Sequence, residues 1–106
     1  MYTRIFETRL NLKVLWFNEF LGLAIDQKIE NQTYPLTSYY IWPRTDAWEQ
    51  LKLELDSRTW LAKEEKVKIL NTTTEIINFW RINRKLEFSE NLSSKFPNVF
   101  VVKIKI

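Results

Sequence analysis

The chain has 106 residues, 45% hydrophobic and 15% aromatic, which is enough to build a folded core within one domain spanning 1–106. It contains neither cysteine nor histidine and only one glycine, Gly22, so disulfides, thiolate chemistry, zinc centres, histidine-based triads and glycine-rich phosphate loops are excluded. The net charge of +3, from 16 basic and 13 acidic residues, permits contact with phosphate but does not by itself predict it.

The stretch RLNLKVLWFNEFLGLAIDQKI predicts two antiparallel strands, about 10–17 and 20–29, turning at Asn18 and Glu19. Placing Phe17 opposite Phe20 pairs Trp16 with Leu21, Val14 with Leu23 and Leu12 with Ile25, and collects these side chains on one apolar face. Leu15, Phe17 and Phe20 fall on the other face, where they form a patch suited to a protein partner or to shielding by the chain's own ends. After a polar connector, Glu30 to Tyr34, a third strand is expected over 36–42. It ends before Pro43, which cannot donate to a strand ladder.

Asp46 offers a helix cap, with Glu49 three residues on, and a helix over about 46–55 presents Ala47, Trp48, Leu51 and Leu55 as one stripe. Tyr39, Tyr40, Trp42 and Trp48 could stack on bases, but with Arg44 as the lone basic residue among them and no glycine they read as core. A second helix, about 62–83, carries Val67, Leu70 and Ile77, with Ile69, Ile76 and Trp80 one step round. The expected core unites Trp16, Leu23, Trp48, Leu51, Leu70 and Ile77. The second helix ends in basic residues, Arg81, Arg84 and Lys85, which suit the negative end of its dipole.

Beyond a polar loop, NVFVVKIKI predicts a strand over about 98–106. Phe100, Val102, Ile104 and Ile106 lie on one side of it, Lys103 and Lys105 on the other. Such a strand must dock, either on this sheet or on a neighbour, with its lysines turned outward. The whole is an α+β domain: a three-stranded antiparallel meander covered by two helices, with an additional C-terminal strand. Acidic residues sit among lysines at helical spacing, the pattern of solvated helix faces, so no enzyme is expected. No apolar run reaches the length of a membrane span and Met1 begins no secretory signal, so no membrane partner is expected either.

Three stretches, LKVLWFNEFLGLAIDQ, PLTSYYIWPRTDAWEQLK and LNTTTEIINFW, carry a resemblance. Together they resemble the plastid-specific ribosomal protein 3 family, small-subunit ribosomal proteins of chloroplasts with relatives in cyanobacteria. The resemblance covers about 12–80. Leu61 and Ala62 stand where a serine-like helix cap is expected, and the C-terminal extension, 86–106, lies outside it. It implies a structural constituent of the small ribosomal subunit in the plastid stroma, bound to ribosomal RNA and neighbouring ribosomal proteins, with no catalytic residues, metal, cofactor or small-molecule substrate. An adaptor or translation regulator that visits ribosomes transiently is the alternative.

Charge and placement then nominate the contacts. Arg81, Arg84 and Lys85 are the main candidates for RNA, followed by Arg44, Arg58, Lys63, Lys103 and Lys105. Leu15, Phe17, Phe20, Phe100, Val102, Ile104 and Ile106 are the candidates for protein.

Overall fold

A computed structural model describes residues 8–83 and 95–104. The first hairpin joins β1 (Thr8–Trp16) to β2 (Leu21–Ile29) in the expected register: Trp16 pairs Leu21, Val14 pairs Leu23 and Leu12 pairs Ile25. The Phe17 amide donates to the Phe20 carbonyl at 3.1 Å, and the two rings stack with centroids 4.0 Å apart. Alternation does the rest. Leu12, Val14, Trp16, Leu21, Leu23 and Ile25 are all buried on one face, beneath the helices.

The third strand departs from expectation in two ways. It begins earlier, as β3 (Gln32–Pro35), because Glu30 and Asn31 make a tight turn that returns the chain directly onto β2. Glu30 adopts a left-handed φ of 56° to do so. It then breaks, and pairing resumes as β4 (Tyr40–Trp42), which lies against Leu21–Leu23 on the same side of β2.

Thr37 explains the break. The amides of Leu36 and Thr37 both donate to the Ile25 carbonyl, while the Ile25 amide donates to the Thr37 hydroxyl oxygen at 3.0 Å. A side chain therefore stands in for a backbone acceptor at one rung of the ladder. Thr37→Val is expected to leave the Ile25 amide buried without an acceptor, at a cost of about 1–3 kcal/mol in urea unfolding. An unchanged midpoint would mean that the backbone closes the gap itself.

Helix α1 (Ala47–Asp56) starts at Asp46, whose Oδ1 accepts the Glu49 amide at 3.1 Å, the expected cap. Helix α2 (Lys63–Ile82) follows Ala62, an extended residue with no side-chain cap, and Glu64 and Glu65 complement its dipole instead. Ala47, Leu51 and Leu55 of α1 meet Ile69, Ile76, Ile77 and Trp80 of α2 over the sheet. Thr73 is buried among them, its hydroxyl donating to the Ile69 carbonyl at 2.8 Å. Val67, expected in the stripe, is exposed, and Trp48 and Leu70 pack only partly buried against the core. The α2 stripe is centred nearer Ile69, Thr73, Ile76 and Trp80 than Val67 would allow.

The last element, β5 (Val99–Lys103), pairs with β1 in parallel, aligning Leu12 with Val99, Val14 with Val101 and Trp16 with Lys103. The sheet is thus mixed, ordered β3-β2-β1-β5 with β4 also on β2, rather than a meander with an appendage. The register also reverses the expected orientation of the tail. Val99 and Val101 turn towards the core and Lys103 falls on their side, half-buried, while Phe100 and Val102 face outward. Phe96, just before β5, is buried edge-on against Phe79, which in turn meets Trp16.

Candidate nucleic-acid interface

The proposed basic contacts do not form one patch. Arg81 is exposed in the last turn of α2. Lys63 begins the same helix, about 27 Å away at 1.5 Å per residue, so the two cannot hold the same phosphate. Arg44 is exposed in the short loop between β4 and α1. Arg84, Lys85, Lys105 and Ile106 lie outside the described residues.

Arg58 is committed internally. Its Nη1 donates to the Glu54 carbonyl at 2.6 Å and the Glu54 carboxylate at 2.9 Å, and its Nη2 donates to the Leu36 carbonyl at 2.8 Å. This guanidinium ties the end of α1 to the interrupted third strand. Glu54 also accepts from the Tyr40 hydroxyl at 3.2 Å. Burial, and then the neighbouring Glu54 charge, raises the Tyr40 pKa above the usual phenol value, so this hydroxyl stays a neutral donor.

Around Arg81 the structure gathers what the sequence separates. Thr74, Ile77, Asn78 and Arg81 share one face of α2, and with Trp42, Asp46 and Trp48 they line an open recess of about 280 Å³. Trp48 is fixed there by its indole N–H, which donates to the Leu70 carbonyl at 3.2 Å. The aromatic stretch therefore serves the core only in part: Tyr40, Trp42 and Trp48 are half-buried against it, and Tyr39 is exposed. Asn78 and Thr74 were not among the candidates. Their spacing of three and seven residues before Arg81 is the signal that places them beside it.

The apolar candidates gather on the sheet face opposite the helices. Leu15, Phe17 and Phe20 lie there with Phe100 and Val102, since Phe100 aligns with Lys13 and Val102 with Leu15. Ile104 follows β5, half-buried, its amide donating to the Trp16 carbonyl at 2.9 Å. Gly22 permits this surface to close up. A Cβ there would stand 3.3 Å from Leu15 Cβ and 3.5 Å from the Tyr39 ring. The charge on this face is partly neutralised, with Lys13 Nζ 2.8 Å from Asp26 Oδ1 in the approach of an ion pair rather than an aligned hydrogen bond. Lys13 also lies over the Tyr39 ring, 5.2 Å from its centroid.

Comparison with known proteins adds identity to this geometry. The family described as plastid and cyanobacterial ribosomal protein (PSRP-3 / Ycf65) matches residues 36–83, from the break in the third strand to the end of α2. The chain is 49% identical over 90 residues to the small ribosomal subunit protein cS23 of Gracilaria tenuistipitata var. liui, covering 85% of this chain and 91% of that one. It is 48% identical over 90 residues to the protein of the same name from Cyanidium caldarium, covering 83% and 89%. A probable small ribosomal subunit protein cS23 from Synechococcus sp. (strain JA-3-3Ab) is 41% identical over 90 residues, covering 85% and 91%. With relatives matched along nearly their whole length, the chain belongs to the plastid and cyanobacterial ribosomal protein family PSRP-3 / Ycf65.

Proposed function

We propose that this chain is a permanent structural constituent of the small subunit of a plastid ribosome and acts there without catalysis. The near full-length match to relatives named as small ribosomal subunit proteins carries this reading. Its two sheet faces divide the work. The helix-covered side builds the core, and the end of α2 brings Arg81 towards ribosomal RNA together with Arg84 and Lys85, which follow in sequence. Arg44 supplements them from the adjoining loop. The uncovered side, with Leu15, Phe17, Phe20, Phe100 and Val102, meets a neighbouring ribosomal protein. A few phosphate contacts suffice inside a ribosome, because surrounding RNA and protein supply the rest of the interface, and this fits a net charge of only +3.

The deciding experiment is a high-salt wash of plastid small subunits, which strips loosely held factors through counterion competition. About one copy per subunit is expected to persist. Recovery only in the wash would favour a transient adaptor. Reversal of Arg81, Arg84 and Lys85 together is expected to reduce incorporation into subunits while leaving the melting temperature of the isolated protein nearly unchanged. Each lost phosphate contact also removes about one unit of salt slope. Normal incorporation of this triple variant would remove the end of α2 from the RNA interface.

A further inference from the structure

The recess between α1 and α2 has the parts of a site for one nucleotide. We propose that it receives a single unpaired base of the bound RNA, one carrying an exocyclic amino group. This rests on the ribosomal reading for its ligand and names the chemistry that reading leaves open. Two half-buried indoles, Trp42 and Trp48, contribute to the wall, and the second is held in place by its bond to the Leu70 carbonyl. A locked ring loses no rotamer freedom when a base stacks on it.

Polar groups stand where a nucleotide needs them. Arg81, exposed at the rim, supplies a cation for the phosphate, and Asn78, one turn earlier, supplies an amide for a base edge. Asp46 adds the selective element. Its Oδ1 is occupied by the Glu49 amide, and its second oxygen is an acceptor suited to an amino group and unsuited to a carbonyl. Cytosine is thereby favoured over uracil, which presents oxygen at the corresponding position. The volume, about 280 Å³, is at the lower end of small-molecule pockets, which start near ~300 Å³. It suits one ring system, not a stacked run of bases.

The probes are short oligocytidylate, oligouridylate and a fully paired RNA duplex, titrated into the full chain while its indole N–H signals are followed by NMR. Oligocytidylate is expected to shift the Trp42 and Trp48 signals and to bind more tightly than either other probe. Trp60, which is 63% exposed, is the internal control, since indiscriminate stacking would fall on it first.

Trp42→Leu is expected to weaken oligocytidylate binding about 10-fold, the loss of one base–ring stack. Should that variant fold poorly, the surface variants Arg81→Gln and Asn78→Ala still decide. Arg81→Gln should lower affinity and reduce the salt slope by about one unit. Asp46→Asn, which keeps a good helix cap, should abolish the preference for cytosine over uracil. Shifts at Trp60 in place of Trp42 and Trp48, equal binding of the duplex, or unaltered affinity in both surface variants would overturn the proposal. Any of these with the chain retained through the salt wash leaves the ribosomal reading intact and removes only the recess.

Discussion

Trp80→Ala is expected to lower the unfolding free energy by about 3–5 kcal/mol, the range for large aromatic truncations in a core. Trp80 has no exposed surface, and it joins two parts of the protein that are far apart in sequence. Its indole N–H donates to the Phe17 carbonyl at 2.8 Å, so the last turns of α2 are held against the first hairpin by a bond as well as by packing. The substitution removes the ring, leaves a cavity and strands that carbonyl. Against a typical total stability of about 5–15 kcal/mol, this brings a small domain close to unfolding. Trp80→Phe separates the causes. It retains much of the volume but not the donor, and should cost less than half as much. Urea denaturation of both variants is the measurement, and a loss below about 1 kcal/mol for Trp80→Ala would contradict the packing described. Trp48→Ala, at a half-buried site, should cost less than Trp80→Ala.

Deleting residues 97–106 is expected to destabilise the isolated protein by roughly 2–4 kcal/mol, from the loss of two partly buried valines together with one edge of β1. Val99 and Val101 pack against the core, and their strand supplies the parallel partner for Leu12 to Trp16. Phe96 would remain but lose the amide of Val99, which donates to its carbonyl at 3.2 Å. Thermal unfolding of the truncated chain tests this. Unchanged stability with poorer incorporation into subunits would mean that the tail's natural partner is another protein.

The first hairpin was legible in the sequence because one residue of slip would scramble two apolar faces, so alternation alone determines its register. The Asp46 cap and both helices were legible for a similar reason, each having a period and a boundary. The third strand was not, because nothing in its pattern announces that the Thr37 hydroxyl will substitute for a backbone group. The tail illustrates a different limit. Alternation separated Phe100 and Val102 from Lys103 correctly, but NVFVVKIKI is apolar on both sides near its start. Val99 and Val101 could claim the core as readily as Phe100 and Val102, and only the register against β1 decides between them.

Among the candidate contacts, Arg58 shows the same gap between composition and geometry. Its charge is evident from sequence, whereas its engagement with Glu54 and Leu36 depends on where α1 ends. The Trp42–Arg81 recess unites residues from three elements, and no local pattern marks it.

The parallel seam between β1 and β5 has a consequence during synthesis. Among the described residues, every other strand and the helices α1 and α2 leave the translating ribosome before β5 does. At about 5–20 residues per second, one side of β1 stands open for several seconds after β2 has become available to close the other. Its unsatisfied amides and carbonyls are then a template for any extended chain nearby. Nascent copies on a single messenger carry that same open edge side by side. Polysome crowding is therefore the condition under which wrong pairing between copies is most favoured, and the arrival of the closing strand ends it.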